Sequence, residues 1–360
     1  MQINRTNVAH YLIARDLLDR ERLVDGQFMA VEADSRNVNL KVTQGERPGF
    51  FLKQVRTPDA QSIGTLQREA TCLYLAASDP NWRNLSSVVP RFRHYDNARN
   101  LLVSELMPGS ENVAEYHARQ SAFPPEIAAG LGRALAVVHG PVPTQEMLSR
   151  IPGAQGAAPW VLTAHRTRPQ FPISNGRGRD SVQAALERFP ALHGALEELR
   201  GEWTPSRLVH GDIKWENCVL STASDGVSLE VRLVDWELAD VGDPAWDTGS
   251  MIQAYLTPWI RSASEQQPFG TIGQVELPAV RRPIAAFWDA YADGLRMDAE
   301  NRRSGLARAM RFAAARLVQA AYESSLVAGD LMPAAIAQLQ VSANILADPE
   351  RAVRDLAVVR

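Results

Sequence analysis

Two polar segments on either side of a hairpin pattern constrain the fold of this 360-residue chain more than any other feature. The first segment is Leu208–Asn217 and the second is Val234–Glu237. Between them the chain reads as an apolar run, a turn cluster and an alternating run, which together predict a β-hairpin. Because the register of a hairpin sets its two ends side by side, we expect Asn217 and Asp235 to lie close together.

The residues of these segments have the chemistry that phosphoryl transfer requires. Such a reaction asks the protein for a base beside the acceptor hydroxyl and for oxygen ligands to magnesium. Asp212 is the candidate base, and Asn217 and Asp235 are candidate Mg²⁺ ligands, because carboxylate and amide oxygens are hard donors. Each residue alone is more often a cap or turn residue, but their order around one hairpin favours the catalytic interpretation.

These motifs resemble those of the aminoglycoside phosphotransferase and choline kinase family, which is distantly related to the protein kinases. The matching residues are His210-Gly211-Asp212 with Asn217 five residues later, Asp235-Trp236, and Gly242-Asp243-Pro244-Ala245-Trp246-Asp247. The resemblance implies that Asp212 is the catalytic base, that Asn217 and Asp235 bind Mg²⁺, and that ATP is the phosphoryl donor. It also implies that Asp247 supports the catalytic loop from behind and that His210 orients this loop.

Lys214 follows the protein-kinase pattern more closely than that of the antibiotic kinases. In that pattern a Lys two residues after the base contacts the γ-phosphate and helps to neutralise its developing charge. We therefore predict that Lys214 takes part in catalysis.

The N-terminal third contains a second group of candidates. Alternating segments at 28–33, 38–43 and 50–55 predict three strands. Lys53 lies inside the third strand among apolar neighbours, where an ammonium group is costly unless it is paired. Glu69, on the helix predicted after it, stands where the resembling family has the ion-pair partner of this lysine. Both residues are predicted to take part in binding ATP.

Two further segments are weaker candidates for contacts with ATP. The turn at 34–37 contains no glycine, unlike most phosphate-binding loops, so Ser35 and Asn37 are candidate phosphate contacts only by position. The apolar segment 101–109 ends in Pro-Gly and is the candidate hinge between two lobes. Adenine is predicted to bind main-chain groups near Glu105 and Met107.

The resemblance implies an α+β chain with a bilobal protein-kinase-like fold. We predict an N-lobe at 1–107 with a small antiparallel sheet and the hinge, and a larger, mainly helical C-lobe at 108–360. Hydrophobic residues make up 45% of the chain, which is enough for a large core. The net charge of −3 gives no overall basic character for nucleic acid. Two cysteines, no apolar run of membrane-spanning length and no signal-peptide pattern predict a cytoplasmic protein without a membrane partner.

The sequence leaves the acceptor open. The C-terminal region mixes acids with eight arginines, which disfavours a strongly cationic acceptor such as an aminoglycoside; they are Arg261, Arg281, Arg282, Arg302, Arg303, Arg308, Arg311 and Arg316. Scattered aromatic residues leave choline open, since choline prefers an aromatic cage. Another sugar-like alcohol is equally open.

The third acceptor is a Ser or Thr of a precursor peptide, phosphorylated before elimination by a lyase partner. The Ser35–Asn39 turn, the strand around Lys53 and the residue Lys214 resemble small kinases of lanthipeptide and thioamitide-type pathways. A basic insertion would then meet an acidic leader peptide; its arginines are Arg166, Arg168, Arg177 and Arg179.

A different class of function is a pseudokinase that binds nucleotide and acts as a scaffold for a partner enzyme. Pseudokinases usually lack the base, the metal-binding aspartate or the strand lysine. Because Asp212, Asn217, Asp235 and Lys53 are all present, an active enzyme is the preferred interpretation.

Overall fold

The computed structural model describes residues 2–24, 26–33, 36–45, 47–164, 166, 177–187, 190–222, 229–264 and 275–357. Its strands are β1 (Phe28–Ala33), β2 (Val38–Gln44), β3 (Arg47–Gln54), β4 (Phe92–Asp96), β5 (Leu101–Leu106), β6 (Glu111–Asn112), β7 (Arg207–Val209), β8 (Cys218–Thr222), β9 (Leu229–Leu233) and β10 (Asp240–Gly242). Its α-helices are α1 (Val8–Ile13), α2 (Ala60–Ser78), α3 (Val113–Gln120), α4 (Pro125–His139), α5 (Gln145–Ser149), α6 (Arg177–Leu186), α7 (Pro190–Gly201), α8 (Pro244–Ser264), α9 (Leu277–Gly294), α10 (Ala299–Ala328), α11 (Pro333–Ala347) and α12 (Pro349–Leu356). Short 3₁₀ helices lie at Arg20–Leu23, Pro80–Ser87, Trp160–Thr163, Trp215–Asn217 and Trp236–Leu238.

The chain divides into two compact units. The first contains residues 1–113, 144–154 and 217–240, and the second contains 114–143, 155–216 and 241–360. The β8–β9 hairpin belongs to the first unit, where β6 pairs with β8. This grouping therefore differs from the predicted domains for 144–154 and 217–240, and the predicted boundary at 107/108 stays a prediction.

An antiparallel sheet forms most of the first unit. Its strand order is β1-β2-β3-β5-β4, with Lys53 of β3 paired to Asn39 of β2 and Leu102 of β5. β3 is buried along most of its length, as expected of a central strand. The core beneath it includes Leu40, Leu52 and Val103, together with residues of α1. Asp59 begins α2 by accepting a hydrogen bond from the Ser62 N–H.

The second unit is mainly helical. Its core joins α6, α7, α8, α10 and α11 through residues such as Leu196, Phe312 and Tyr322. Helix α8 lies very close to α10 at Gly249, where a Cβ atom would come within 2.7 Å of the Ala313 nitrogen. A side chain at this position would separate the two helices, so the glycine allows their close packing.

These observations confirm the predicted α+β class, with an antiparallel sheet in the N-terminal part and a mainly helical C-terminal part. The three predicted strands, the hairpin and the predicted helix that carries Glu69 are present, although β3, at Arg47–Gln54, is shifted towards the N-terminus from the predicted segment 50–55. None of the helices in the described ranges combines the length and apolar character needed to cross a membrane.

Candidate functional site

A buried carboxylate fixes the loop that follows β7 in the second unit. Asp247, which has no exposed surface, accepts hydrogen bonds from the backbone N–H of His210 at 2.7 Å and of Gly211 at 3.0 Å. Gly211 has a φ of +83°, a conformation that favours glycine. The geometry therefore agrees with the support from behind that the resemblance implies for Asp247.

Other buried polar groups hold Asp247 and the loop in turn. The Nε2 atom of His139 lies 3.2 Å from Asp247, and its Nδ1 atom lies 2.9 Å from the Tyr291 hydroxyl. His210 accepts a hydrogen bond from the Asp212 N–H on its Nδ1 atom at 3.3 Å. His210 thus contacts the loop backbone, and its ring has no exposed surface.

The Asp212 side chain contacts Lys214. The Lys214 Nζ atom lies 2.6 Å from Asp212 Oδ2, and their side chains are 44% and 22% exposed. Burial alone would raise the pKa of Asp212, but the charges of Lys214 and Arg316 and the hydrogen bond from Lys214 hold this pKa below its ordinary value. Asp212 is therefore ionised at neutral pH, which is the form in which a carboxylate accepts a proton.

A second cluster of charges surrounds Lys53 in the first unit. The Lys53 Nζ atom lies 2.8 Å from Glu69, contacts Asp235 and lies 3.4 Å from Glu237. Burial would lower the pKa of Lys53, but the three carboxylates raise it. Burial raises the pKa of Glu69 in spite of its contact with Lys53. The ion pair between Lys53 and Glu69 that the sequence predicts is present, with both side chains less than 10% exposed.

Asn217 and Asp235 stand at the same end of the β8–β9 hairpin. Their backbones meet where the Val234 N–H donates to the Asn217 carbonyl at 2.9 Å, beside the paired residues Cys218 and Leu233. Asp235 has a φ of +67°, in the left-handed region. The hairpin register therefore places the backbones of these two residues close together, as predicted.

The chemistry of these two side chains fits Mg²⁺. Both offer oxygen donors, and Mg²⁺ is commonly held by one or two protein oxygens together with phosphate oxygens and water. Within the described ranges, no cluster of three or more His, Cys, Asp and Glu residues has the arrangement of a metal centre. A cation bound here would accordingly need phosphate oxygens or water to complete its ligands.

The other predicted contacts with ATP lie in the turn at 34–37 and at Glu105. Ser35 lies outside the described residues, and Asn37 is 4% exposed. The Glu105 N–H donates to the Arg91 carbonyl at 2.9 Å, and the Glu105 carboxylate pairs with Arg93. The Glu105 N–H is thus already bonded within the protein, and the contact of adenine with main-chain groups near Glu105 and Met107 stays a prediction.

Met107 and one arginine of the predicted basic insertion each have a partner within their own unit. The Met107 sulfur accepts a hydrogen bond from Ser221 at 3.1 Å. In the insertion, Arg166 pairs with Glu197 at 2.9 Å. Arg168 and the side chains of Arg177 and Arg179 lie outside the described residues.

Three residues beside these groups were not assigned from the sequence. Glu237 is a third carboxylate near Lys53, and it also pairs with the mostly exposed Arg36 at 3.1 Å. Trp246 donates from its Nε1 atom to the Gly211 carbonyl at 3.0 Å, and Arg316 stacks on the Trp246 ring. The acidic residue in Asp-Trp-Glu was a signal for Glu237, whereas no sequence signal separates Arg316 from the other arginines.

Comparison with known proteins adds a family to these observations. Residues 27–299 match the phosphotransferase enzyme family. Viomycin phosphotransferase of Streptomyces vinaceus is 29% identical over 138 residues, which span 36% of this chain and 44% of that protein. The chain therefore aligns with less than half the length of this relative.

A solved structure shows the same fold. It is a choline/ethanolamine kinase family protein from Mesorhizobium loti, with a TM-score of 0.53 and 14% sequence identity. The similarity covers 96% of this chain and 97% of that protein. The predicted relation to choline kinases is thus confirmed at the level of the fold.

Proposed function

The chain belongs to the phosphotransferase enzyme family, and on this premise we propose that it transfers the γ-phosphoryl group of ATP to a hydroxyl group of a small molecule. The observation that carries the proposal is the loop of Asp212. Its backbone is fixed by Asp247, and its carboxylate is kept ionised by neighbouring cations. Catalysis by positioning requires a base that is held rigidly and is ionised.

In the proposed reaction the acceptor oxygen attacks the γ-phosphorus of ATP, and the bond from that phosphorus to the bridging oxygen of ADP breaks. Asp212 accepts the proton that the acceptor hydroxyl loses. Lys214, in contact with Asp212, is placed to neutralise charge on the transferred group. The phosphorylated acceptor and ADP leave as products.

Lys53 is proposed to bind ATP phosphates from the first unit. Glu69 holds its ammonium group at the end of a buried strand, which preserves a cation there for an anionic ligand. Asn217 and Asp235 are proposed to hold Mg²⁺, which would neutralise charge on the phosphates when bound. Asn37, Ser35, Glu105 and Met107 stay candidate contacts for ATP.

The acceptor is proposed to be a hydroxyl-bearing small molecule. Viomycin is included among the compounds to test, because the partial match is to a viomycin phosphotransferase. A precursor-peptide Ser or Thr, a lyase partner and a cytoplasmic location stay predictions. The pseudokinase alternative is less well supported, since Lys53, Asp212, Asn217 and Asp235 are all in place.

The proposal is tested by incubating the protein with Mg·ATP and a panel of acceptors, followed by mass spectrometry of the products. The panel contains viomycin, a macrolide, choline, small hydroxy acids and sugars, and a Ser/Thr peptide. We expect one acceptor to gain the mass of one phosphoryl group while ATP is converted to ADP. A gain on the peptide alone would instead support the peptide branch.

Two variants test the assignment of the base. Asp212→Ala should lower the rate of transfer by about 10²- to 10⁴-fold, because general base catalysis is worth that much, and ATP binding should remain. Asp289→Ala removes an exposed carboxylate on α9 and should leave the rate unchanged. Normal turnover by the Asp212→Ala protein would exclude Asp212 as the base.

A further inference from the structure

Arg316 in α10 is a buried cation that pairs with no carboxylate of the described residues. The residue is 4% exposed, and its Nε atom is buried and makes no hydrogen bond. Across the described part of the chain, its guanidinium group forms neither a hydrogen bond nor an ion pair. A buried guanidinium group whose N–H donors lack acceptors lowers the stability of a fold, so this arrangement calls for a functional reason.

The other arginines of the same helix are paired. Arg302 contacts Asp293, Arg303 contacts Glu350 at 3.1 Å, Arg308 contacts Asp243, and Arg311 lies 2.6 Å from Glu202. These four are all more exposed than Arg316. Among the arginines of α10, Arg316 is the most buried, so an ion pair would stabilise it most. It is also the one that forms no ion pair with the described residues.

The position of Arg316 is fixed relative to the loop of Asp212, and all of these residues lie in the second unit. The Arg316 Cζ atom lies 5.2 Å from the centroid of the Trp246 ring, and this ring donates from Nε1 to the Gly211 carbonyl. Gly211 directly precedes Asp212. Stacking on an indole face holds a planar guanidinium group in one orientation and leaves its N–H edge available.

Arg316 and Asp212 are close enough to interact and yet do not pair. The charge of Arg316 contributes to the lowered pKa of Asp212, but the two side chains form no ion pair. The Asp212 carboxylate forms its ion pair with Lys214 instead. Among the described residues, Lys214 and Arg316 thus bring two positive charges to Asp212, while the nearby Asp247 carboxylate is engaged by the N–H groups of His210 and Gly211. Such surroundings favour an anion over a cation.

We propose that Arg316 binds a carboxylate or phosphate group of the acceptor, so that the enzyme phosphorylates an anionic hydroxyl compound. This inference rests on the proposed function, because it places the acceptor beside Asp212. The guanidinium group has a planar fork of N–H donors that matches both oxyanions. An acceptor bound in this way presents its hydroxyl to Asp212 and its anionic group to Arg316.

A binding experiment tests the anion site without any turnover. Sodium sulfate is the probe, sodium chloride at equal ionic strength is the reference, and the melting temperature is followed for each protein. Sulfate should stabilise the wild type, and Arg316→Met should weaken sulfate binding by about ten- to a hundredfold, the usual worth of hydrogen bonds to a charged group. Equal sulfate binding by both proteins would overturn the proposal, because it would show that sulfate binds elsewhere as an adventitious ion only.

Stability separates this role from a purely structural one. If Arg316 serves an acceptor, Arg316→Met should have an unchanged or higher melting temperature without sulfate, because a buried unpaired charge is replaced by an apolar chain. If Arg316 only supports Trp246, the melting temperature should fall. Arg311→Met is the matched control on the same helix; it should lower the melting temperature, since Glu202 loses a partner, and should keep the response to sulfate.

A turnover experiment then identifies the source of the anion. The acceptor found in the panel is compared with its carboxamide or dephosphorylated form, in wild type and in Arg316→Met. We expect the wild type to lose about ten- to a hundredfold in kcat/KM with the neutral form, mainly through KM, and Arg316→Met to show no preference. An acceptor without an anionic group, or an equal effect of Arg316→Met on both forms, would overturn the inference. Absence of any transfer would instead refute the proposed function and leave the sulfate result standing.

Discussion

Lys53 and Asp212 differ in the sign of the charge that surrounds them. Lys53 is one buried cation among three carboxylates, those of Glu69, Asp235 and Glu237. Asp212 is one carboxylate beside two cations, Lys214 in contact and Arg316 without contact. The first group thus has an excess of negative charge and the second an excess of positive charge.

The difference indicates what each group can bind. An excess of carboxylate around Lys53 favours the addition of a cation, and the oxygen donors of Asn217 and Asp235 suit Mg²⁺. An excess of positive charge around Asp212 favours an anion, as proposed for the acceptor. The same reasoning predicts that removing the buried cation of the first group, Lys53, is far more harmful than removing one of the two cations of the second.

The largest effect is expected for Lys53→Met, which leaves three carboxylates without their buried cation. We expect the free energy of unfolding to fall by about 3–5 kcal/mol, the usual cost of breaking a buried ion pair, as measured by urea denaturation at neutral pH. Lys41→Met changes an exposed lysine on the neighbouring strand β2 and should cost less than about 0.5 kcal/mol. Similar losses in the two variants would contradict the buried charge cluster.

A comparable loss is expected for Asp247→Ala, whose carboxylate is held by two backbone N–H groups and by His139. The variant leaves the N–H groups of His210 and Gly211 without an acceptor, at about 1–3 kcal/mol for each. Urea denaturation should show this loss, and kcat should fall because the loop of Asp212 is no longer fixed. Asp247→Asn keeps one side-chain oxygen, so its free energy of unfolding and its kcat should lie between those of the wild type and of Asp247→Ala. Any other order would contradict the support of the loop by Asp247.

Asp235→Asn tests the excess of carboxylate in the first group. The amide keeps the size of the side chain but lacks its charge, so the Mg²⁺ concentration for half-maximal velocity should rise by about tenfold or more. The free energy of unfolding should change little, because Glu69 and Glu237 still face Lys53. Glu230→Gln, on β9 of the same hairpin, is the control and should keep the wild-type Mg²⁺ requirement. An unchanged requirement in Asp235→Asn would remove this residue from the metal site.

The smallest effect is a shift in pH dependence on removing Lys214. The pKa of Asp212 is held below its ordinary value, so its ionised form contributes to stability above the unfolded pKa, and this contribution is lost as the pH falls through the folded pKa. In Lys214→Met the pKa should rise, and the acidic limb of kcat/KM should move upward by less than about one pH unit, since Arg316 remains. Lys41→Met should leave the profile in place, and a downward shift in Lys214→Met would contradict the sign of this interaction.

Much of the fold follows from local patterns in the sequence. The alternating segments predict β1, β2 and β3. The Pro-Gly pair at 108–109 predicts that the apolar segment containing β5 ends there. The loop and the hairpin were also predictable, because a few polar residues with fixed spacing surround two short strands. For the same reason the placement of Asn217 beside Asp235 follows from hairpin register alone.

The parts that could not be predicted depend on long-range packing. Helix α10 is buried on nearly all sides between Phe312 and Val318, so helical periodicity does not distinguish a buried arginine from an exposed one there. Arg316 consequently looks like its paired neighbours in the sequence. The use of the Glu105 N–H by the Arg91 carbonyl is likewise set by strand pairing that the sequence does not reveal.

The left-handed backbone at Asp235 makes this position hard to replace in evolution or by design. A substitute must tolerate a positive φ, which excludes β-branched residues and leaves mainly Asn, Gly and Asp. It must also carry a charged oxygen donor, which Gly lacks and Asn replaces only with a neutral amide oxygen. Saturation mutagenesis should therefore separate substitutions that keep the stability but need more Mg²⁺, such as Asn, from β-branched substitutions that lose about 1–2 kcal/mol of stability, with aspartate alone meeting both requirements.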